Sequence, residues 1–259
     1  MKTITLSNQK GGVAKTTTSG ALASGLSKKG YKVIAVDLDP QCNLSLGAGA
    51  DILSMDQTLY DVFKGSAELQ DIITETEMGY DLIAGGLSLA GADMEFTKTG
   101  REFMLKEALE SIRADYDFCI IDTPPTLGIL TVNALTASDS VIIPLTADLY
   151  SIQGLSQLNL LIESVRKYSN RDLKIAGLLI TRHDERTNVS KALMDQITQT
   201  AEKLGTKVFS QPIRNSVAVR ESQVMRSDLF TEAPKANATV DYQSFIDEFM
   251  KGEKEDGKK

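Results

Sequence analysis

The sequence predicts a single α/β domain with a doubly wound, mostly parallel sheet and helices on both faces. Short apolar runs alternate along the chain with longer stretches whose apolar residues recur at helical spacing. Several of the short runs lack polar alternation, which is typical of strands buried on both faces. No internal repeat and no linker rich in Pro, Gly or Ser divides the 259 residues, so we expect one domain over residues 1–250.

The predicted elements follow one another along the chain. Residues 239–250 carry apolar side chains at helical spacing and are expected to form a helix that docks on the domain. The charged tail 251–259 is expected to be disordered. The predicted strands are 3–7, 32–37, 80–84, 116–122, 140–144, 174–181 and 206–210. The other predicted helices are 16–29, 101–113, 151–168 and 188–204.

Composition narrows the possible function classes. Hydrophobic residues make up 42% of the chain, enough for a full core, and no apolar run reaches the about 18 residues that a membrane-spanning helix needs. Cys42 and Cys119 stand far apart and His183 is the single histidine, so a metal framework built on Cys or His is not expected. The N-terminus lacks the pattern of a secretion signal. We therefore expect a cytoplasmic protein without a membrane partner.

The charge of the chain is unevenly distributed. The net charge of −7 argues against a surface that binds nucleic acid everywhere. Residues 160–235, however, contain 13 Lys and Arg against 9 Asp and Glu, a local excess of +4. A basic face on an acidic protein is therefore possible.

Residues 8–17 read Asn-Gln-Lys-Gly-Gly-Val-Ala-Lys-Thr-Thr and are the most informative stretch. They lie between a predicted buried strand and a predicted helix, where free backbone N–H groups and the helix dipole attract an anion. Glycine allows close approach of phosphate, Lys15 is placed to neutralise phosphate oxygens, and the Thr16 hydroxyl is placed to bind Mg²⁺. The candidate phosphate-binding residues are Lys10, Gly11, Gly12, Val13, Ala14, Lys15, Thr16 and Thr17.

This loop departs from the standard P-loop, G-x-x-x-x-G-K-[ST], because Gln9 and Ala14 stand where that pattern has glycine. The variant K-G-G-x-x-K-[ST] fits fully and adds Lys10. Lys10 precedes the loop, so it need not contact its own nucleotide. A second cation at this position is suited to reach the γ-phosphate of a partner subunit, as an arginine finger does. This pattern resembles that of the deviant P-loop ATPases, which dimerise around two nucleotides, and the resemblance implies such a homodimer here.

Two later predicted strands end in carboxylates. Asp37 and Asp39 end the second strand, and Asp122 ends the fourth, directly before a Thr-Pro-Pro turn. In doubly wound sheets the carboxyl ends of the strands form the ligand crevice. We therefore expect Asp37 and Asp122 to join Thr16 around Mg²⁺, and Asp39 to orient the attacking water.

These three motifs, at 10–17, 37–41 and 120–125, resemble in order and spacing the nucleotide motifs of the ParA/Soj partition ATPases. That family lies in the wider ParA–MinD group of P-loop NTPases with the deviant Walker A loop, and the resemblance spans residues 1–249. It implies ATP and Mg²⁺ as ligands, and an ATP-dependent homodimer that binds double-stranded DNA without sequence preference. It also implies nucleoid association and a ParB-like centromere-binding partner that stimulates hydrolysis.

The resemblance implies a role for each matching residue. Lys10 matches the signature lysine of the family, Lys15 the P-loop lysine and Thr16 the Mg²⁺ ligand. Asp39 matches the residue needed for hydrolysis, and Asp122 matches the Walker B acid. The implied catalytic set is therefore Lys10, Lys15 and Asp39.

The resemblance continues into the C-terminal third. Residues 211–221 are similar to the family segment that lines the adenine, which makes Arg214 and Ser216 candidates for adenine contact. Ala14 stands where many members have Gly, and we expect a small effect on the flexibility of the loop. DNA phosphates require clustered cations. The candidates in the locally positive region are Arg186, Lys191, Arg214, Arg220 and Arg226.

Three alternatives remain open. A MinD-like or other positioning ATPase acting at a membrane or pole would use a basic amphipathic C-terminal helix, whereas the polar face predicted here carries Asp241, Asp247 and Glu248. An iron–sulfur electron-transfer ATPase would need cysteine ligands. A ParA-like scaffold would recruit partners without fast hydrolysis, and turnover with and without DNA plus a partner would identify it.

Overall fold

The computed structural model describes residues 1–183 and 188–256. This part of the chain forms a seven-stranded sheet. Its strands are β1 (Lys2–Leu6), β2 (Val33–Asp37), β3 (Ile73–Glu75), β4 (Asp81–Ile83), β5 (Phe118–Asp122), β6 (Ser140–Leu145) and β7 (Lys174–Ile180). Their order is β3-β4-β2-β5-β1-β6-β7, and every pair is parallel except β3 with β4 at one edge. The predicted doubly wound, mostly parallel sheet is confirmed.

The strand predictions differ from the structure at two places. The segment predicted as a strand at 206–210 forms only an isolated bridge between Leu178 and Val208. This prediction is wrong because, among the described residues, the backbone of this segment bonds β7 only at Leu178, which bonds Lys207 and Phe209 and forms no longer ladder. The Phe209 side chain is buried edge-on against Phe245, with ring centroids 4.8 Å apart. The sequence also missed β3, which is an edge strand of three residues and too short to show a period.

Helices connect the strands. The α-helices are α1 (Lys15–Lys28), α2 (Asn43–Gly47), α3 (Leu59–Lys64), α4 (Ala92–Glu95), α5 (Met104–Glu110), α6 (Ile129–Ala137), α7 (Leu149–Tyr168), α8 (Asn188–Lys203), α9 (Val217–Val224), α10 (Leu229–Glu232) and α11 (Asn237–Asp256). Short 3₁₀ turns occupy Ile52–Ser54, Leu69–Ile72, Leu87–Gly91 and Arg101–Phe103. The helix predicted at 101–113 is therefore divided into a 3₁₀ turn and the shorter α5.

Both faces of the sheet are covered by helices. Val33 and Ala35 of β2 join one buried cluster with α1 and α11, and Ile34 and Val36 join another with α5 and α6. A third cluster packs β6 and β7 against α7 and α8. Burial on both faces explains why these strands are apolar throughout.

Helix α11 docks on the domain, as its apolar spacing predicts. Tyr242, Phe245 and Ile246 are buried, and the Tyr242 hydroxyl lies 3.1 Å from the hydroxyl of Thr18 in α1. Its apolar face is therefore occupied by the core of the same domain. No helix within 1–183 and 188–256 is both long and apolar enough to cross a membrane.

The C-terminal end of α11 differs from the expected disordered tail. The helix continues through 251–256 instead of ending at residue 250. Glu253 on this extension forms an ion pair of 2.9 Å with Lys2 of β1. The charge-rich composition suggested disorder. The ion pair with Lys2 could not be foreseen, because the two residues lie at opposite ends of the sequence. Residues 257–259 lie outside the described residues.

Asp241, expected on an exposed polar face, is instead buried with 1% exposure. Its carboxylate accepts hydrogen bonds from Nη2, Nε and the backbone N–H of Arg214, at 2.6, 2.9 and 3.0 Å. The side-chain amide of Gln211 donates a fourth, at 3.0 Å. These bonds fasten the segment before α9 to α11.

Replacing Asp241 should therefore destabilise the protein much more than replacing an exposed aspartate of the same helix. We expect Asp241→Ala to lower the free energy of unfolding by about 2 kcal/mol, because the donors of Arg214 and Gln211 lose a buried charged acceptor. The control Asp247→Ala removes a half-exposed partner of Lys29 and should cost about 0.5 kcal/mol. Urea denaturation measures both values, and equal losses would contradict the structural role of Asp241.

Candidate nucleotide-binding site

The loop between β1 and α1 has the backbone shape of a phosphate cradle. Gly12 and Ala14 both adopt positive φ angles, of 74° and 59°, and Ala14 is the residue at which α1 begins. The left-handed conformation favours glycine, so Ala14 stores about 1 kcal/mol of backbone strain. The N-terminus of α1 thus opens towards the loop, and its free N–H groups are suited to bind an anion.

Lys15 lies at the base of this loop and is 7% exposed. Its Nζ donates to the backbone carbonyl of Lys10 at 3.3 Å. Burial lowers the pKa of Lys15, while the charges of Asp122 and Asp39 act in the opposite direction. A bound phosphate would supply the negative charge that this buried ammonium lacks.

Lys10 points to the β6–α7 loop. Its Nζ lies 2.5 Å from Asp148 Oδ2, 3.1 Å from Thr146 Oγ1 and 3.4 Å from Ser151 Oγ. The Lys10 side chain is 33% exposed. Sequence reasoning did not identify this cluster, and the only local signal was the Asp-x-x-Ser pattern that starts α7.

Asp122 ends β5 beside the phosphate loop and is completely buried. Its Oδ1 accepts a hydrogen bond of 3.0 Å from Ser19, and it also interacts with Thr16. Its Oδ2 has no hydrogen-bond partner among the residues that the structure describes. Burial, reinforced by the charge of Asp37, raises the pKa of Asp122 to about 7. A buried carboxylate oxygen without a donor, next to a threonine hydroxyl, fits a magnesium ion that shares phosphate oxygens.

Asp37 lies opposite Asp122 in the pairing of β2 with β5, but its environment differs. One oxygen accepts from the backbone N–H and the hydroxyl of Ser45, at 2.9 and 2.7 Å, and the other accepts from the N–H of Asp39 at 3.1 Å. Burial raises its pKa to about 6. Both oxygens are thus used to hold the loop that follows β2, which favours a structural role over the predicted metal contact.

Asp39 lies in the loop that follows β2. It is 7% exposed and accepts a hydrogen bond of 3.0 Å from the N–H of Gln41. It lines the same cavity as Thr16 and Pro125, so the loops after β2 and β5 face the phosphate loop together.

These groups open into a cavity of about 680 Å³, large enough for a nucleotide. One wall is the phosphate loop and the first turns of α1, and a second is α2 with the loop before it. The third wall is formed by α9 and the segment after it, with Val219, Ser222, Gln223 and Arg226. Gln223 also bonds Thr17 at 3.1 Å, which joins this wall to the phosphate loop.

Known proteins are similar in sequence to this chain over nearly its whole length. A family model described as an AAA domain matches residues 1–175. The chain is 40% identical over 243 residues to the sporulation initiation inhibitor protein Soj of Bacillus subtilis, covering 93% of this chain and 95% of Soj. It is 36% identical over 250 residues to the chromosome partitioning protein ParA of Myxococcus xanthus, covering 96% and 87%. The chain belongs to the ParA/Soj family of partition ATPases.

A solved structure of another protein has the same fold as this ParA/Soj-family chain. Cobyrinic acid a,c-diamide synthase from Mycobacterium smegmatis, crystallised with an ATP analogue and magnesium, superposes with a TM-score of 0.86 at 33% identity. The match covers 98% of this chain and 96% of that one. Because that protein carries a different functional name, the fold alone does not distinguish partition from other activities.

The predicted adenine contacts of this ParA/Soj-family chain are not among the residues that line the cavity. Arg214 and Ser216 both precede α9, and the Arg214 guanidinium pairs with Asp241. Sequence reasoning missed Arg182, which follows β7 with a φ of 52° and donates a hydrogen bond of 3.0 Å to the carbonyl of Gly12. Its position after a strand at the carboxyl edge of the sheet was the available signal.

The predicted DNA contacts occupy different environments. Arg220 on α9 and Arg226 just after it are exposed and form no ion pair with residues that the structure describes. Arg214 is engaged with Asp241. Arg186 lies outside the described residues, and so does the side chain of Lys191.

Both cysteines of the iron–sulfur alternative are buried free thiols. Cys42 begins α2 and Cys119 lies inside β5. Burial raises the pKa of Cys42 to about 11 and raises that of Cys119 further, which opposes the thiolate form that ligates metal.

The raised pKa of Asp122 predicts a pH-dependent cost of folding. Because its folded-state pKa of about 7 exceeds the ordinary value of 3.8, the folded chain binds this proton more tightly than the unfolded chain does. The resulting stability is complete below the unfolded pKa and is lost as the pH rises through 7. Asp122→Asn has no charge to bury, so its melting temperature should exceed that of the wild type at pH 8 by roughly a few degrees.

This difference should shrink as the pH is lowered towards 5. Differential scanning calorimetry of protein freed of nucleotide and magnesium measures it. The asparagine keeps an acceptor for Ser19, so that bond is conserved. A variant less stable than the wild type at pH 8 would contradict the burial cost inferred for Asp122.

Proposed function

We propose that this protein is a DNA-partition ATPase whose ATP-dependent homodimer binds double-stranded DNA non-specifically and acts on the nucleoid in the cytoplasm. We also propose that a ParB-like centromere-binding partner stimulates its hydrolysis of ATP. The observation that carries the proposal is the juxtaposition of a two-lysine phosphate loop with Asp122, a buried carboxylate whose Oδ2 has no hydrogen-bond partner in the part of the chain that the structure describes. The partition role is supported by the relatives named Soj and ParA.

The site fits ATP with Mg²⁺. The N–H groups of residues 11–17 would bind the phosphates, and Thr16 and Asp122 would hold the ion. Magnesium, when bound, would neutralise charge on the phosphates. Lys15 would add a second positive charge at the same place, and Asp39 would orient water for hydrolysis. The mycobacterial structure with its ATP analogue and magnesium supports this ligand pair.

Dimerisation would complete the site. Lys10 is partly exposed and does not line the nucleotide cavity, so its side chain is accessible to a second subunit. Crossing of Lys10 to the partner's nucleotide would make closure of the dimer depend on ATP. The loops at 37–41 and 122–125 would then be ordered by the nucleotide and released after hydrolysis.

The two lysines should separate nucleotide binding from dimerisation. We expect Lys10→Ala to abolish dimerisation with ATP while nucleotide affinity stays within about twofold, because Lys10 does not contact its own phosphate site. Lys15→Ala should weaken nucleotide binding by about tenfold or more, because a phosphate-neutralising charge is lost. Sedimentation velocity and calorimetric titration measure the two properties. A Lys10→Ala protein that still dimerises with ATP would overturn the proposed role.

Non-specific DNA binding is best supported for the α9 region, where Arg220 and Arg226 are exposed. Arg226 also lines the nucleotide cavity, so the test uses Arg220 alone. Arg220→Glu should weaken binding to unrelated duplexes equally and reduce the salt dependence, with a loss of about threefold or more in moderate salt. The control Arg113→Glu changes an exposed cation at the opposite, amino edge of the sheet and should have little effect.

Fluorescence anisotropy with two duplexes of unrelated sequence measures this binding. A loss confined to one duplex would contradict contact through the DNA backbone alone. Equal effects of Arg220→Glu and of Arg113→Glu would show that net charge, rather than the α9 region, determines binding.

A further inference from the structure

Lys10 is held within its own chain by a cluster that the nucleotide motifs do not include. Thr146, Asp148 and Ser151, which we call the Lys10 clamp, surround its ammonium. An ammonium has three N–H donors, and the clamp offers three oxygen acceptors within 3.4 Å. A phosphate oxygen from a second subunit therefore has to displace at least one of them.

Within the Lys10 clamp, the Asp148 carboxylate is held in place by several hydrogen bonds. This residue caps α7, where its Oδ1 accepts from the N–H of Ser151 at 3.0 Å. Its Oδ2 accepts from Lys10 and from the hydroxyls of Thr146 and Ser151. Although partial burial acts to raise the pKa of Asp148, these hydrogen bonds outweigh it and lower the pKa to about 2. The carboxylate is therefore charged at any physiological pH.

The clamp is also fixed relative to the phosphate loop. Asn8 donates from its side-chain amide to the carbonyl of Pro144 at 2.7 Å, and its Oδ1 accepts from the N–H of Lys10 at 2.9 Å. The backbone of Lys10 is thus tied to the end of β6 without help from the ion pair. Release of the ammonium from Asp148 needs a side-chain rotation and no movement of the loop.

The ion pair is nevertheless accessible. The Lys10 and Asp148 side chains are 33% and 34% exposed, so water and an incoming anion reach both. Exposed pairs of this kind contribute little free energy, which makes the contact readily exchangeable. Asp148 also adds a negative charge to the surface that would approach a second phosphate-bearing site.

We propose that Asp148 is a positioning residue that holds Lys10 within its own subunit and so opposes dimerisation until a partner's nucleotide phosphate displaces it. This inference rests on the proposed ATP-dependent dimer. On dimerisation, the phosphate of the partner's nucleotide would replace the Asp148 carboxylate as the anion that binds Lys10. The strength of the Lys10–Asp148 contact would therefore affect the protein concentration at which ATP produces the dimer.

The test uses Asp148→Asn in the full chain. Asparagine caps helices as well as aspartate does, so α7 keeps its start while the charge is removed. With a non-hydrolysable ATP analogue and Mg²⁺, the dimer dissociation constant should fall about fivefold, since two exposed ion pairs no longer have to be broken. The affinity of the monomer for the nucleotide should not change, because Lys10 does not contact its own phosphate site. A merely structural role of Asp148 would not tighten the dimer.

Two further variants show whether the effect passes through Lys10. Thr146→Val removes one acceptor of the clamp without changing charge and should strengthen dimerisation in the same direction by a smaller factor. Glu163→Gln, on the exposed side of α7 where Glu163 pairs with Arg166, makes the same kind of charge change and should leave the dissociation constant unaltered. A dissociation constant that is unchanged or raised in Asp148→Asn would overturn the proposal.

A second measurement separates this inference from the proposed function. In nucleotide-free monomer, an amine-reactive reagent should label Lys10 several times faster in Asp148→Asn than in the wild type, as read by peptide mass spectrometry. If the wild type does not dimerise with the ATP analogue, the proposed dimer fails, and the labelling rate alone decides whether the clamp exists. Equal labelling rates would overturn the clamp even where the dimer forms.

Discussion

The parallel pairing of β5 with both β1 and β2 is the constraint on which the site depends. In this register Asp122 lies opposite Leu6 on one side and opposite Asp37 on the other. The loops that follow the three strands therefore leave the sheet at the same level and on the same edge. A shift of one residue in either pairing would move Asp122 out of line with Leu6 or Asp37 and turn its side chain to the opposite face of the sheet relative to its neighbours. The register thus fixes the position of the phosphate loop relative to its acids.

That arrangement places the carboxylates of Asp37 and Asp122 side by side in a buried environment, but their hydrogen bonding differs. Asp37 receives hydrogen bonds from Ser45 and Asp39, which compensate for part of the cost of its burial. Asp122 keeps one oxygen without a donor among the described residues. The Asp37 carboxylate holds the loop after β2, whereas the environment of Asp122 is suited to a ligand. Charge that the folded chain does not satisfy by itself is typical of a binding site.

Backbone strain is found in the same region. Ala14, Cys42 and Arg182 adopt left-handed conformations without being glycine, with φ of 59°, 54° and 52°. Ala14 starts α1, Cys42 starts α2, and Arg182 follows β7 and binds the phosphate loop. Such conformations persist only where the surroundings determine them, and they concentrate at functional sites. The protein accepts this local cost where the geometry of the cavity requires it.

The sequence by itself determined the fold class, the phosphate loop and the acids at the strand ends. These features are local: burial on both faces appears as unbroken apolar runs, and the motif chemistry appears as residues at short, constant spacing. Only the tertiary structure decided the partners of particular side chains. It paired Lys10 with Asp148, Asp37 with Ser45 and Arg214 with Asp241. It also showed α11 continuing to Asp256 where composition suggested disorder.

The physical reason is that such pairs join elements that are brought together only by the packing of the sheet and its helices. Asp148 and Asp241 have the same side chain as exposed aspartates such as Asp247, and their immediate sequence does not show that their partners are Lys10 and Arg214. Their roles follow from burial and from donors supplied by remote segments. A periodic pattern predicts which face of an element is buried, but it does not predict which polar group of another element will contact a given side chain.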